Sequence, residues 1–142
     1  MNIEITPAAN DKENNPLIIG QPHSRIEEGR IYAGILPKTG KHISVLEKKS
    51  SPIMNHFDAA SFALGQGGRL PSLDDRKILF GQERPQELSS EIPPNRAYWL
   101  STNFGDKAWA QWGNKDKPES VGKTFGRPTI VVFDEPQLSE PV

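Results

Sequence analysis

The sequence contains no cysteine. Disulfide scaffolds, thiolate zinc sites and cysteine nucleophiles are therefore excluded. The sequence also lacks an excess of one charge, since 17 Lys and Arg and 18 Asp and Glu leave a net charge of -1. Because proteins that bind nucleic acid or anionic membranes rely on basic surfaces, we expect no nucleic-acid partner and no polybasic membrane patch.

Long apolar runs are missing as well. The longest runs, 17–19 and 129–133, are far shorter than the roughly 20 residues that span a bilayer. The first residues also lack the basic and apolar regions of a secretory signal. We therefore expect no membrane insertion and a protein that is cytoplasmic at synthesis, which is compatible with later assembly into a virion.

The residues that are present suffice for one modest hydrophobic core. The chain has 142 residues, of which 35% are hydrophobic, and its 12 Gly and 13 Pro are typical of a loop-rich fold. We expect an irregular N-terminal arm over 1–28 and a folded domain over 29–133. Residues 134–142 contain three acids and no base and are expected to form a solvent-exposed acidic tail.

Two β-hairpins and a final strand are predicted in the folded domain. Residues 30–36 are rich in β-branched and aromatic side chains, 42–47 alternate polar and apolar, and turn residues lie between them. A second hairpin is predicted from 97–102 and 107–112. The last strand, 128–133, is apolar on both faces, so we expect it to be central.

Two helices are predicted between the hairpins. In the first, Phe57, Ala60 and Leu64 lie on one helical face, which predicts that this face is buried. The second is predicted to begin at Ser72, with Asp75 completing a capping box. Long polar loops are predicted over 82–96 and 113–127. The order of strands, helices and strands indicates an α+β fold, in which two helices pack on a mostly antiparallel sheet.

The motifs of catalysis and metal binding are missing. The three histidines stand in none of the spacings that are typical of metal sites. Residues 122–124 (Gly-Lys-Thr) lack the earlier glycine that a phosphate-binding loop needs. Asp74 and Asp75 are adjacent and cannot face each other on a helix, and capping explains Asp75. We therefore expect no enzyme activity, no catalytic residue, no bound metal and no cofactor.

The three tryptophans concentrate in the second hairpin. We expect Trp99 and Trp112 in the core, because large aromatic side chains dominate small cores. Trp109 shares a strand face with Lys107 and Gln111, so we expect it to be partly exposed. An exposed aromatic side chain framed by polar groups is a typical contact for a protein or a sugar.

Several motifs, in order along 30–133, resemble those of one family. Residues 68–72 (Gly-Arg-Leu-Pro-Ser) resemble its "(W)RLPT" helix start, although Gly68 stands where the family has Trp. Residues 98–102 (Tyr-Trp-Leu-Ser-Thr) resemble its "YWSST" strand, with Leu100 in place of the first Ser. Residues 108–109 and 126–131 resemble its "AW" and "RPV" strands. The sequence thus resembles the Lcl C-terminal domain-like family.

The resemblance implies a C-type-lectin-like fold, in which residues 31–36 and 130–133 pair in one sheet. Related domains include glycan-binding adhesin tips and variable receptor-binding proteins of phages and bacteria, whose ligand surface lies near the "YWSST" strand. Carried onto this chain, that surface spans 101–103, 106–111 and 114–116. The candidate ligand-binding residues are Asn103, Asp106, Lys107, Trp109, Gln111, Asn114 and Lys115. The Glu-Pro-Asn triplet of calcium-dependent lectins is missing from the sequence.

The resemblance further implies a non-enzymatic binding module, associated with a phage or prophage, that recognises a protein or a glycan. The alternative is an intracellular protein that binds and inhibits or sequesters a partner protein, which the acidic tail favours. Both interpretations leave open a homo-oligomer or attachment to a larger assembly.

Overall fold

The computed structural model describes residues 16–48 and 52–139. Within them the strands are β1 (Arg30–Ile35), β2 (His42–Leu46), β3 (Ile53–Met54), β4 (Ala97–Phe104), β5 (Lys107–Trp112), β6 (Glu119–Gly122), β7 (Arg127–Pro128) and β8 (Val132–Asp134). They form three antiparallel sheets with the orders β1-β2-β8, β3-β7 and β4-β5-β6. Both predicted hairpins, β1–β2 and β4–β5, are confirmed.

The last predicted strand is divided in two. Its beginning pairs with β3 as β7, and its end pairs with β2 as β8, so the chain passes from one sheet to another over 129–131. Ile130 and the following residues to Phe133 are at most 3% exposed, as the apolar sequence predicts. Strands β1 and β8 lie in one sheet, as the resemblance implies, but they do not bond each other directly because β2 lies between them.

Helix α1 spans His56–Gly65 and buries a different face from the one predicted. Phe57 and Leu64 are 77% and 76% exposed, and Ala60 between them is exposed as well. The buried side chains are instead His56, Ala59 and Ala63.

Small side chains explain this choice of helix face. Ala59 and Ala63 belong to the same core cluster as Ala108 and Ala110 of β5, and all four are fully buried. Contacts between alanines allow the helix to approach the sheet closely, which a phenylalanine or leucine at the contact would prevent. The larger side chains of α1 therefore face outward.

Helix α2 spans only Arg76–Leu79, and the predicted capping box precedes it. The Ser72 amide donates to the Asp75 carboxylate at 2.8 Å, and the Asp75 amide donates to the Ser72 hydroxyl at 3.1 Å. The regular helix thus begins later than predicted and ends after one turn, because Phe80 is extended. Gly81 follows with a φ of +101°, which favours glycine.

The sheet β4-β5-β6 has core on both faces. Trp99 lies on the face that α1 covers. Tyr98 and Leu100 lie in a second cluster with Leu79 and Phe80, and Trp109 packs against that cluster from its edge. The sheet is therefore the middle layer of an α+β fold.

The two loops predicted as polar both contain structure. The loop 82–96 contains a short 3₁₀ helix, Gln86–Leu88, and buries Leu88 and Ile92 in the core. The loop 113–127 contains β6, which its sequence does not predict. Within the described parts of the chain, no helix has the length and apolar character that crossing a membrane requires.

The expectation of a solvent-exposed acidic tail is wrong for Glu135 and Leu138, which are buried. Glu135 is 3% exposed, accepts a hydrogen bond from the Ser44 hydroxyl and pairs with Arg30 at 3.2 Å. Its partners lie on β1 and β2, far away in sequence, so the local composition cannot reveal them.

The two ends of the described chain are joined beside this ion pair. The Gln137 side chain donates to the Arg25 carbonyl at 2.9 Å, and the Arg25 guanidinium donates to the Gln137 carbonyl. Leu138 is buried with Ile26 and Tyr32 in a third core cluster. Residues 1–15 and 140–142 lie outside the described residues, and the division into arm, domain and tail stays a prediction.

Candidate ligand-binding site

The candidate ligand-binding residues lie at two ends of the β4–β5 hairpin. Asn103, Asp106 and Lys107 are exposed at its tip, and Asn114 and Lys115 are exposed beyond its other end. Strand β5 has six residues, so these two surfaces are about 17 Å apart. One small ligand cannot contact both surfaces.

Gln111 does not lie on either surface. It is 1% exposed, and its side-chain amide donates to the Lys115 carbonyl at 2.8 Å. Its strand face carries Tyr98 on the neighbouring strand and is covered by the core. The prediction that Gln111 contacts ligand is therefore wrong, and its side chain instead holds the turn that follows β5.

Trp109 is partly exposed, as predicted. Its ring lies 5.6 Å from that of Phe104, and it packs against the larger core cluster. Of the three side chains expected to share an exposed face, only Lys107 is fully exposed. Trp109 thus contributes to packing as well as to the surface.

Trp112 is the tryptophan that lies at a groove. It shares a face with Ala108 and Ala110, as predicted, but it is 36% exposed, so its expected place in the core is wrong. The cluster that includes helix α1 ends before this last residue of β5. Its indole N–H donates to the Glu119 carboxylate at 3.1 Å, which fixes the ring across β5 and β6.

The Trp112 indole lines an open groove of about 800 Å³. We name it the Trp112 groove. Its lining combines one aromatic ring with amide and charged side chains: Asn95, Trp112, Asn114, Lys115, Asp116, Lys117 and Glu119. Two of them, Asn114 and Lys115, are candidates from the sequence. Trp112 is not among the candidates from the sequence, although its position at the end of a strand, before a glycine, favours exposure.

Close backbone packing fixes Gly113, which lies between the groove residues Trp112 and Asn114. A Cβ atom on Gly113 would lie 2.7 Å from the Pro93 carbonyl oxygen, so only glycine fits there. The Gly113 amide donates to the Arg96 carbonyl and its carbonyl accepts from the Gly81 amide, both at 3.0 Å. The turn after β5 is thereby held against two neighbouring loops.

Tyr98 supports the same region from the core. Its hydroxyl donates to the Pro93 carbonyl at 3.0 Å. Burial raises the pKa of Tyr98 to about 12, with nearby Arg96 and Arg84 lowering it by smaller amounts. The hydroxyl therefore stays protonated at neutral pH and keeps its role as a donor.

The groove carries two positive and two negative side chains, and only the negative ones take part in hydrogen bonds. The Asp116 carboxylate accepts the Gln82 amide at 3.0 Å, and the Glu119 carboxylate accepts the Trp112 indole N–H. In the described structure, the Lys115 and Lys117 ammonium groups form neither a hydrogen bond nor an ion pair. A ligand would therefore meet two ammonium groups without partners and two carboxylates that each already accept a hydrogen bond.

No metal site is formed by the described residues, because no three His, Asp or Glu side chains of 16–48 and 52–139 come together closely enough. The three histidines occupy separate places. The His56 ring, for example, bonds the Leu100 carbonyl at 2.9 Å and lies edge-on to Trp99 in the core.

The arrangement of two helices around antiparallel sheets is found among solved structures. The crystal structure of the mouse CD72a CTLD, a C-type lectin-like domain, matches with a TM-score of 0.50 and 10% sequence identity. The match covers 77% of this chain and 93% of that chain. No family model matches the sequence, and no curated protein does.

The fold is therefore C-type-lectin-like, which confirms the fold implied by the sequence motifs. The narrower resemblance to the Lcl C-terminal domain-like family stays a prediction, because at 10% identity the structural match shows the fold alone.

Proposed function

We propose that this protein is a non-enzymatic binding module and that its ligand, a protein or a glycan, lies in the Trp112 groove. The observation that carries the proposal is an indole, held by Glu119, beside the free ammonium groups of Lys115 and Lys117. Aromatic rings combined with a few polar groups are typical of binding sites.

The position of the groove also supports the proposal. Asn114 and Lys115 line it, and they belong to the surface that the sequence motifs assign to ligand. The turn that carries them is fixed by Gly113 and by the buried amide of Gln111, so the lining is held in place before a ligand arrives.

The hairpin tip is a second candidate surface. Asn103, Asp106 and Lys107 are exposed there, together with Phe104, which is 47% exposed. The Phe104 ring lies 5.6 Å from that of Trp109, so the tip also presents aromatic surface. We propose it as a secondary contact, used when the ligand is large enough to reach both ends of the hairpin.

A phage or prophage association remains part of the proposal and rests on the sequence motifs. The alternative, an intracellular protein that sequesters a partner protein, drew on the acidic tail. Because Glu135 is buried in an ion pair, this acid is not available to a partner. The observation weakens the alternative relative to a binding module that uses the groove.

The test compares two tryptophans of the same strand. Immobilised wild-type protein, Trp112→Ala and Trp109→Ala are each exposed to a glycan array and to lysate of the bacterium that carries the gene. We expect Trp112→Ala to weaken capture of the selected glycan or protein roughly tenfold or more, because the indole contact is lost. Trp109→Ala, if folded, should retain that capture.

The same variants provide the folding control and the result that would contradict the proposal. Circular dichroism establishes that each variant is folded before its binding is compared. If Trp112→Ala retains every ligand that the wild type captures, the groove is not the binding site. If Trp109→Ala alone loses them, the site lies at the hairpin tip.

A further inference from the structure

The four most exposed large apolar side chains of the described residues lie around helix α1. Phe57 and Leu64 on the helix are 77% and 76% exposed, Phe125 is 62% exposed and Ile53 is 60% exposed, whereas every other large apolar side chain is at most 50% exposed. Single exposed apolar side chains are common at protein surfaces, but a group of four in one place is typical of an interaction surface. We name these four side chains the α1 patch.

Backbone contacts bring two members of the patch to the beginning of the helix. The His56 amide donates to the Lys123 carbonyl at 3.0 Å, so the turn that carries Phe125 lies against the start of α1. A Cβ atom on Gly126 would lie 3.2 Å from the Ile53 side chain, which places Ile53 beside this turn. Both side chains therefore lie at the end of α1 from which Phe57 projects.

The outer surface of α1 has a symmetrical pattern of side-chain sizes. Phe57, Ala60, Ser61 and Leu64 are all exposed and lie along one line of the helix, since they are spaced three and four residues apart. Two large side chains thus flank two small ones. Reversing the direction of the helix exchanges Phe57 with Leu64 and leaves the pattern unchanged. The line of side chains is therefore complementary to a second copy that runs in the opposite direction.

We propose that the α1 patch binds a second copy of this chain across a two-fold axis that passes between Ala60 and Ser61. The two α1 helices pack antiparallel, and the small side chains at their crossing allow the helices to approach closely. Leu64 of each copy then lies at the start of the other copy's helix, among Ile53, Phe57 and Phe125. Each copy thus covers the large apolar side chains of the other.

The charges around α1 favour the antiparallel arrangement. Asp58 is the only charged side chain at the surface of the helix, whose last turn contains no base. In a parallel pair the two Asp58 carboxylates would lie side by side, whereas in an antiparallel pair they lie on opposite sides of the axis. The antiparallel pair also brings Lys123, beside the start of one helix, to the C-terminal end of the other, where free carbonyls carry partial negative charge.

The area of the patch suffices for a dimer. A large aromatic side chain buries about 150–250 Å² when it is enclosed, so four large side chains at these exposures offer on the order of 500 Å² per copy. Two copies then bury about 1,000 Å² in total, which is the lower limit for a specific interface. We therefore expect a dimer that dissociates on dilution.

The dimer has a consequence for binding. None of the four patch residues lines the Trp112 groove, so each dimer has two grooves. A ligand with repeated binding units can then be held by both copies at once, which raises its overall affinity above that of one groove.

Sedimentation equilibrium of the full chain at increasing concentrations tests the dimer. We expect the mass to rise from that of one chain to that of two. Leu64→Glu should raise the dissociation constant roughly tenfold or more, because it puts a carboxylate into the apolar contact and near Asp58 of the other copy. The matched control, Leu73→Glu, alters an exposed leucine outside the patch and should dimerise as the wild type does. Circular dichroism establishes that both variants are folded.

The position of the axis is tested by cross-linking. Because the chain has no cysteine, a single introduced thiol can link only to its counterpart in another copy. Ser61→Cys places this thiol beside the axis, where the two copies come close enough for a disulfide. Mild oxidation of dilute protein should link Ser61→Cys at least tenfold faster than Ser90→Cys, which carries its thiol at an exposed serine of the loop 82–96.

Four results would overturn the proposal. A wild type that keeps the mass of one chain at every concentration would leave the α1 patch to residues 1–15 or to a different protein. A dimer that Leu64→Glu does not weaken would lie at another surface. Equal cross-linking of Ser61→Cys and Ser90→Cys would contradict the position of the axis, and a mass above that of two chains would contradict a closed two-fold pair.

Discussion

Arg69 forms an ion pair with Asp75, whose side chain is completely buried. The second nitrogen of the same guanidinium lies 2.9 Å from the carboxylate of Asp134, which is about half exposed. Burial lowers the pKa of Arg69, but the two carboxylates more than offset this and raise it above its ordinary value. One arginine thus joins the start of α2 to strand β8.

The two aspartates that pair with Arg69 allow a matched pair of substitutions. Asp75→Asn should destabilise the protein by about 3 kcal/mol, because it leaves the partly buried arginine without its buried partner and weakens the capping box. Asp134→Asn should cost less than about 1 kcal/mol, because that ion pair is exposed to water. Urea unfolding followed by circular dichroism measures both. Equal costs would contradict the role given to burial.

The tryptophans should differ sharply in their contribution to stability. Trp99 is fully buried and its indole N–H donates to the Met54 carbonyl at 2.8 Å, so Trp99→Ala should cost about 3–5 kcal/mol. Trp112→Ala should cost less than about 1 kcal/mol, because the ring faces the groove. Thermal melts with fluorescence detection measure the two variants side by side. A melting temperature lowered equally by both would place Trp112 in the core.

Substitutions on the two faces of α1 should differ in how strongly they change the free energy of unfolding. Leu64→Lys should change the free energy of unfolding by less than about 0.5 kcal/mol, since Leu64 is 76% exposed. Ala63→Leu should destabilise by roughly 1–3 kcal/mol, because the added atoms meet the close contact with β5. Chemical unfolding of both variants tests the helix orientation. A severe loss from Leu64→Lys alone would favour the face predicted from the sequence.

Alkaline pH should weaken the fold through Tyr98. Its pKa is raised from about 10 in the unfolded chain to about 12 in the folded one. A raised pKa contributes stability that is fully present below about pH 10 and is lost as the pH rises through about 12. Melting temperatures measured across this range should fall. In Tyr98→Phe the fall should be smaller, with a remainder from Tyr32, whose pKa burial also raises. An unchanged slope in Tyr98→Phe would contradict this assignment.

The sequence correctly predicts those elements that are formed by interactions between residues close together in the chain. The β1–β2 and β4–β5 hairpins and the capping box of Ser72 and Asp75 all form as their residues indicate. Strand β6 escapes such reasoning, because Glu119–Gly122 contains one apolar side chain and becomes a strand only by pairing with β5.

The buried face of α1 and the groove depend on distances that a sequence does not contain. Hydrophobicity favours Phe57 and Leu64 as the buried side chains, whereas the structure buries Ala59 and Ala63 in one core cluster with Ala108 and Ala110 of β5. Strand alternation places Trp112 correctly on the face of Ala108, but it does not reveal where the helix stops covering that face. Of the seven residues that line the Trp112 groove, Asn114 and Lys115 are candidates from the sequence, and the other five require the fold.

The two hydrogen bonds between Arg25 and Gln137 determine how the domain responds to a pulling force. A pulling force applied to the chain on either side of these two residues loads their hydrogen bonds and the Arg30–Glu135 pair first. While these bonds hold, they carry tension in parallel with the strands between them, which lessens the load on β2 and on the Trp112 groove. A module tethered by its ends could thus bear load with less distortion of the surface that holds its ligand.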